Sequence, residues 1–310
     1  RGLGDVYKRQ MYILHTEKGE YGARFVVNAA GIKGDEISAM AGAEAFRLLS
    51  RHGELIIFDK KYGIHMNMSL FPIPTPESKG ITIGTKISGN PSLGSTSVLM
   101  EKEFGENTRK GIHELLKGAE RSVPDIGSCK VIRMFSGERA VMEQSPHDFY
   151  IRPSEKIKHF IQVVGIQSPG VASAPAIAVY VTNLLKEQGL ELIRNENYCL
   201  PTKMSRRFAD LTQEEQEEKI RSNPAFGRMV CRCEMVTEGE ILEAFRRPVG
   251  AVNIGGIKRR TRAGMGRCQG GFCQQKVIEL LARELGVEPW QVMMEEDGSN
   301  PLIFVLKGGD

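Results

Sequence analysis

Four of the chain's six cysteines stand in two close pairs, Cys231-x-Cys233 and Cys268-x4-Cys273. A thiolate is a soft anionic donor. Two such pairs, separated by one supersecondary unit, can converge on a single metal centre, and four thiolates suit a tetrahedral zinc or an iron–sulfur cluster. In a [2Fe–2S] centre each iron takes two thiolates, so two cysteine pairs supply the full set. Spacing alone leaves zinc and iron–sulfur both open. Gly264, Gly266, Gly270 and Gly271 lie around the second pair, where bare backbone can approach inorganic sulfide and aim N–H groups at it. Lys258-Arg259-Arg260 and Arg262 can offset the negative charge of such a centre; the plainer reading of that run is a solvated face. Cys129 and Cys199 have no paired neighbour and read as structural thiols.

A second set of residues could hold a ligand by its backbone. Phe25-Val26-Val27 is continuous and apolar, as in a strand buried on both faces, and it ends at Asn28-Ala29-Ala30-Gly31. Residues 160–164 form another such strand. It runs into Gly165-Ile166-Gln167-Ser168-Pro169-Gly170 and then a helix over 174–188. A strand, a small-residue turn and a helix N-terminus present free N–H groups to an anion or cofactor, although both turns also read as ordinary packing connections. Arg139, in Ser136-Gly137-Glu138-Arg139-Ala140, carries a guanidinium fork that suits a carboxylate or phosphate; it also reads as an exposed strand-end arginine. His65 and His147 are candidate bases, each without a visible third residue to orient it. His113, among Lys and Glu neighbours, reads as solvent-facing.

The elements that must position these groups follow from length and pattern. A chain of 310 residues with 41% hydrophobic content carries a prior of about two domains, each with its own core. The net charge of +4 is mild and demands neither nucleic acid nor membrane. No apolar run reaches the roughly 18 residues of a membrane span, and no signal peptide is visible. Paired thiols without an export signal point to a reducing, cytoplasmic setting.

Residues 1–10 show no periodicity and are set aside. Residues 11–30 read as two strands around Lys18-Gly19-Glu20, and 36–50 as a helix. From 54 to 166, β-rich pieces (ELIIFDK, HMNMSLFPI, GITIGTK, KVIRMFSG, DFYIRPS, HFIQVVG) surround one helical stretch over 98–117, which predicts an antiparallel sheet. Pro72, Pro74 and Pro76 fit an edge or loop, and 79–94 a glycine-punctuated hairpin or loop able to line a pocket. Capping boxes at Thr212–Glu215 and Thr237–Glu240 open two helices. A third helix begins near Cys273 and stops at Gly286, and 302–306 reads as a strand.

Residues 24–42 (RFVVNAAGIKGDEISAMAG) and 165–178 (GIQSPGVASAPAIA) resemble the FAD-contacting segments of the D-amino-acid-oxidase-like flavoprotein superfamily. Within it the likeness is to anaerobic glycerol-3-phosphate dehydrogenase and to L-2-hydroxyglutarate dehydrogenase-like proteins. Residues 71–97 resemble a loop-and-strand segment of that group, with departures at Gly84-Thr85-Lys86 and Gly94-Ser95-Thr96-Ser97 that bear on substrate identity. Residues 229–286 resemble the bacterioferritin-associated-ferredoxin type of [2Fe–2S] domain, with all four ligand cysteines present.

The resemblance implies an α+β fold: an α/β FAD-binding part over 11–53 and 160–194, and an antiparallel β-rich substrate domain over 54–159. A linker with a helix over 195–225, a small helical [2Fe–2S] domain over 226–290 and a tail over 291–310 follow. It implies FAD contacts at Asn28, Ala29, Ala30, Gly31, Gly165, Ile166, Ser168, Pro169 and Gly170, a substrate anion on Arg139, and His147 as a candidate base.

The activity implied is oxidation of a small anionic hydroxy substrate, with electrons leaving through the cluster to an acceptor protein or subunit. Rivals are a 2-hydroxy-acid dehydrogenase, an electron-transfer or assembly subunit without its own substrate, and a zinc-stabilised interaction module using 258–262. No nucleic-acid partner is expected in the main reading, and any membrane association would be peripheral, through a partner. No G-x-G-x-x-G follows a strand near the start. The family's dinucleotide-binding unit is therefore expected to precede residue 1, and residues 1–310 alone to bind FAD weakly or not at all, yet to assemble the cluster.

Overall fold

A computed structural model of the protein describes residues 11–61, 64, 66–74, 80–102, 105–198 and 206–302. His65, Pro76, Cys199 and most of the strand expected over 302–306 lie outside the described residues. The chain divides into two compact units. The first is Arg1–Cys129 with Met134–Tyr198; the second is Lys130–Arg133 with Cys199–Asp310.

The first unit opens on a hairpin, β1 (Tyr12–Thr16) paired antiparallel with β2 (Gly19–Ala23), turning at Gly19 with φ +123°. β3 (Val26–Asn28) follows and leads through a short turn at Gly31–Lys33 into α1 (Gly34–Met40). The helix expected over 36–50 stops here. Gly42 takes φ +73°, the Gly42 N–H bonds Ala39 O and the Ala43 N–H bonds Ser38 O. That paired closure is a Schellman motif, and it returns the chain as a strand rather than a second helical turn.

The strand is β4 (Leu48–Phe58), the central member of a five-stranded sheet with β5 (Thr82–Thr85), β6 (Pro91–Gly94), β7 (Val98–Met100) and β8 (Val131–Met142). The stretch read as a helix over 98–117 is β7 followed by α2 (Arg109–Glu120). The Thr108 hydroxyl, accepting from Gly111 N–H at 2.9 Å, sets the start of α2 eleven residues later than the apolar pattern suggested. HMNMSLFPI contributes only an isolated bridge, Leu70 to Ile83, among the described residues. Ile56, Phe58, Ile83, Leu93 and Leu115 are essentially without solvent contact and form the core between sheet and α2.

β9 (Tyr150–Pro153) and β10 (Phe160–Val164) form a separate three-stranded sheet with β3, in the order β3-β10-β9; β10 runs parallel to β3 and antiparallel to β9. β10 feeds α3 (Gly170–Glu187), four residues longer at its start than expected. The reading of Phe25-Val26-Val27 as buried on both faces fails. Val27 is 39% exposed while Asn28 is buried, because alternate residues of a strand face opposite sides and only one side of β3 is covered.

The second unit contains α4 (Gln213–Ser222), the two-stranded pair β11 (Met229–Cys231) and β12 (Val236–Thr237), α5 (Glu238–Arg246), α6 (Ile254–Thr261) and α7 (Gln274–Leu285). Both capping boxes form as read, at Thr212/Glu215 and Thr237/Glu240. α6 was not anticipated. Asn253 caps it by accepting from Gly256 N–H at 2.7 Å, so the run 258–262 is a helix end rather than a basic loop. Val236, Ile241, Ile257, Val277 and Leu281 make this unit's core. At about 1.5–3 kcal/mol per buried side chain, that packing outweighs the roughly 1 kcal/mol of each cap.

Candidate active site and metal centre

In the first unit a cavity of about 830 Å³ opens between the ends of β3 and β10, the start of α3 and part of β8. Ala29, Gly31, Gly165, Ile166 and Gly170 line it, as does Arg139. Its walls are small by composition. No heavy atom lies within 4 Å of the position a Cβ would take at Gly31 or Gly137, so both present bare backbone to open space. Gly31 (φ +59°) and Gly165 (φ +71°) occupy left-handed backbone that glycine adopts readily, which lets each strand end turn sharply beside the cavity. The size is that of a ligand pocket, and the bare backbone at both strand ends fits a large planar cofactor in close approach.

The other residues expected to contact a cofactor are placed differently. The Asn28 side chain points inward, donating to Gly34 O at 2.7 Å and Gln162 Oε1 at 2.8 Å. Gln162 in turn donates to Ser38 Oγ at 2.6 Å and Glu44 Oε2 at 3.3 Å. This buried polar chain ties β3, β10 and α1 together. Ala30 and Ser168–Pro169 lie beside the cavity-lining residues without being among them, and Ser168 and Pro169 are exposed. His147 is exposed and does not line the cavity.

Arg139 is half-buried and largely engaged. Its Nε donates to Arg51 O at 3.1 Å, Nη1 to Ser95 Oγ at 3.3 Å, and Nη2 to Thr96 O at 2.9 Å and His52 O at 3.2 Å. Of five N–H donors, these four contacts leave one on Nη1. Burial and the neighbouring Arg51 pull its pKa down, but a guanidinium stays charged regardless.

Beside it stands a group that the sequence reading missed. His52 Nδ1 lies 2.6 Å from Glu138 Oε1, and His52 Nε2 lies 3.8 Å from Glu54 Oε1, too long for a hydrogen bond. His52 and Glu54 are buried. Burial pushes the Glu138 carboxyl up, but the Ser50 hydroxyl, the His52 ring and the Gly105 N–H together hold it below the usual range. The signal was available. In β4 the inward positions alternate through Leu48, Ser50, His52, Glu54, Ile56 and Phe58, so a histidine and a glutamate stand in the core register of a strand.

In the second unit the four cysteine side chains line one opening of about 1100 Å³. Cys231 ends β11, Cys233 sits in the following turn, and Cys273 directly precedes α7. The thiols meet across the two motifs rather than within them. Cys233 Sγ is 3.6 Å from Cys268 Sγ, and the Cys231 and Cys273 thiols hydrogen bond to each other. Two sulfurs bound to one tetrahedral metal at about 2.3 Å stand about 3.8 Å apart, so the first pair already has the separation of shared ligands.

Backbone N–H groups surround the sulfurs. Those of Gly264, Glu234 and Cys233 reach Cys231, and those of Phe272 and Gly270 reach Cys268. The Cys231 thiol is drawn down to about 6, by the Cys273 thiol first and by these N–H groups, while its partner Cys273 is pushed up. Burial raises Cys268, yet its backbone donors leave it lowered overall. Gly266 is required by space, since a Cβ there would lie 2.2 Å from Cys233 Cβ.

Among the described residues no three His, Cys, Asp or Glu side chains gather around one metal point. Two separate sulfur pairs with N–H donors fit a dinuclear cluster; a single zinc needs four donors on one point. The run 258–262 makes other bonds: Arg259 pairs with Glu295 at 2.8 Å, Arg260 Nη2 donates to Val249 O at 3.1 Å, and Arg262 pairs with Glu234 at 2.8 Å.

Two family models match the chain: FAD dependent oxidoreductase (DAO) over residues 2–184, and the BFD-like [2Fe–2S] binding domain over 229–283. The chain is similar to a glycerol 3-phosphate dehydrogenase of Caloramator mitchellensis, 37% identical over 306 residues, covering 98% of this chain and 62% of the relative. An anaerobic glycerol-3-phosphate dehydrogenase subunit from Escherichia coli K12 is 25% identical over 294 residues, covering 84% of this chain and 52% of the relative. Among solved structures, the dithionite-reduced L-alpha-glycerophosphate oxidase of Mycoplasma pneumoniae with FAD bound superimposes with a TM-score of 0.55 at 26% identity. That match covers 62% of this chain and 52% of the other. The chain thus spans less than two thirds of the length of each.

Proposed function

The chain belongs to the FAD dependent oxidoreductase family and carries a BFD-like [2Fe–2S] binding domain, and on that premise we propose that the complete protein oxidises glycerol 3-phosphate and passes the electrons out through the cluster. The observation that carries this is the presence, in one chain, of a bare-backbone cavity and two crossed thiol pairs, in a sequence 37% identical to a glycerol 3-phosphate dehydrogenase. Bound FAD would supply a two-electron acceptor and the cluster a one-electron outlet.

This chain's residues have distinct parts to play. Ala29, Gly31, Gly165, Ile166 and Gly170 would hold the flavin by close backbone approach. Arg139, with one Nη1 N–H uncommitted on the cavity wall, would anchor the substrate phosphate. The His52–Glu138 contact would fix the strand that carries Arg139. Cys231 with Cys273, and Cys233 with Cys268, would each hold one iron. In this reading 11–53 and 160–194 serve the flavin, 54–159 the substrate and 226–290 the cluster. The acceptor is a separate protein or subunit, and the setting is cytoplasmic. Among the described residues no helix is long and apolar enough to cross a membrane.

The test is anaerobic purification of the complete protein with iron, sulfide, zinc and FAD analysis, EPR after reduction, and turnover on glycerol 3-phosphate against L-2-hydroxyglutarate with an artificial acceptor. Two irons, two sulfides and a preference for glycerol 3-phosphate are expected. In the same assay Arg139→Lys should raise KM about tenfold or more while FAD content holds, because a point charge replaces the fork. Zinc without iron, or faster turnover of the hydroxy acid, would sink the reading.

A further inference from the structure

The two sulfur pairs are not equally placed. Cys231 and Cys273 are 1% and 2% exposed, whereas Cys233 and Cys268 are partly exposed on the side of the opening. The Cys233/Cys268 pair is therefore the face of the centre nearest solvent. Two further features converge on that opening. Phe272, next to Cys273 in sequence, lines it and is 89% exposed. An aromatic ring left this far in water beside a ligand residue is what an interface anchor looks like before its partner arrives. Around it the lining carries four cations, Arg228, Arg232, Lys276 and Arg283, against one carboxylate, Glu238. Arg228 and Arg283 meet Glu238 at 2.8 and 3.5 Å, Arg283 also meets Glu284 at 3.5 Å, and Lys276 pairs with Glu279 at 3.0 Å, yet all three cations remain more than half exposed. Arg232 stands between two of the cysteines, is exposed, and among the described residues has no acidic partner.

We propose that this opening is the docking face for an acidic one-electron carrier protein, with Phe272 as the apolar anchor and Arg228, Arg232, Lys276 and Arg283 as the steering rim. The proposal rests on the cluster reading above. An exposed apolar side chain among predominantly basic neighbours is a combination that speeds encounter and fixes register. Charge selects the class of partner: the rim repels a basic carrier and attracts an acidic one. Position selects the role, since electron transfer falls steeply with distance and the more exposed sulfur pair lines the opening. The step is one electron from the reduced centre to the oxidised carrier. No bond forms or breaks and no proton moves.

The test uses the complete cluster-loaded protein and two probes, an acidic plant-type [2Fe–2S] ferredoxin and basic mitochondrial cytochrome c, with binding measured by titration at several salt concentrations. The ferredoxin should bind, weakening at least tenfold between about 50 and 200 mM salt, and cytochrome c should not. Phe272→Ala should weaken ferredoxin binding about tenfold or more with the salt dependence unchanged. Lys276→Glu and Arg232→Glu should each weaken it and flatten the salt dependence, and iron content and EPR signal should survive in Phe272→Ala and Lys276→Glu. Ferredoxin binding indifferent to Phe272→Ala and Lys276→Glu would overturn the inference. So would equal binding of cytochrome c, or tighter binding of tRNA or anionic vesicles at this face. A wild-type protein without iron and sulfide would instead overturn the cluster reading on which the inference stands.

Discussion

Asn28 shows that a sequence places a residue at a strand end without giving the direction of its side chain. A small-residue strand end does border the cavity, through Ala29 and Gly31, but Asn28 faces the other way and joins Gln162, Ser38 and Glu44. Direction depends on which face of the β3–β10 sheet is covered, and that sheet forms only when β10, more than 130 residues away in sequence, pairs with β3. The same limit applies to the cysteines. Their number and spacing were legible; the partner of each was not, because pairing across two loops is a property of the folded backbone.

Glu44 yields a prediction at this scale. Burial would raise its carboxyl pKa. Its own N–H, the Ser154 hydroxyl, the Glu155 N–H and the Gln162 amide override that and bring it to about 2 from an ordinary 4.5. A folded-state value below the unfolded one means stability is present above about pH 4.5 and is lost as pH falls toward about 2. Glu44 is half-buried, so solvent screening holds the gain to about 1 kcal/mol. Glu44→Gln should therefore be less stable than wild type at pH 7 by about that amount, and the gap should narrow steadily as pH falls from about 4.5 to about 2. Chemical denaturation across that pH range measures it; a gap that persists unchanged at pH 2 would show the carboxylate contributes nothing by its charge.

Helices with a capping box were legible at their first residue, because the box is a local device: Thr212 with Glu215 and Thr237 with Glu240 satisfy each other without help. Elements fixed by long-range contacts were not. The apolar positions over 36–50 continue past Gly42, but its left-handed turn ends α1 and β4 claims the rest. At α2 the start is set partly by Glu54, whose carboxylate accepts from the Thr108 N–H at 2.5 Å. The same carboxylate occupies the space a Cβ would need at Gly111, with Glu54 Oε2 only 1.3 Å from that position. Helix propensity alone says Gly111→Ala should stabilise by about 1 kcal/mol. The contact reverses the sign, and a loss of about 1–3 kcal/mol is expected from overpacking. Thermal unfolding of the variant decides between the two; a raised midpoint would mean that Glu54 moves aside freely.

Across the whole molecule, the two units have separate cores and separate chemistries. The second is small, and its four paired cysteines sit at the end of β11 and on the loops between short elements. Ligand binding at such a site contributes directly to folding. Removing iron from the complete protein with a chelator should therefore reduce hydrogen-exchange protection in α5, α6 and α7, and lower the melting of that unit by roughly 10 °C. Protection in these helices that is identical with and without iron would show the unit to be self-sufficient.

The crossed thiols give that unit a further property. Each sulfur pair takes one member from the end of β11 or the turn after it and one from the loop before α7. Neither loop owns a metal ion, so neither can begin assembly by itself. The centre acts as a knot between two distant stretches of chain, tied only once the intervening α5 and α6 have brought them together. An order of events follows from this: Cys231 and Cys233 cannot complete their pairs until Cys268 and Cys273 have been synthesised and folded beside them.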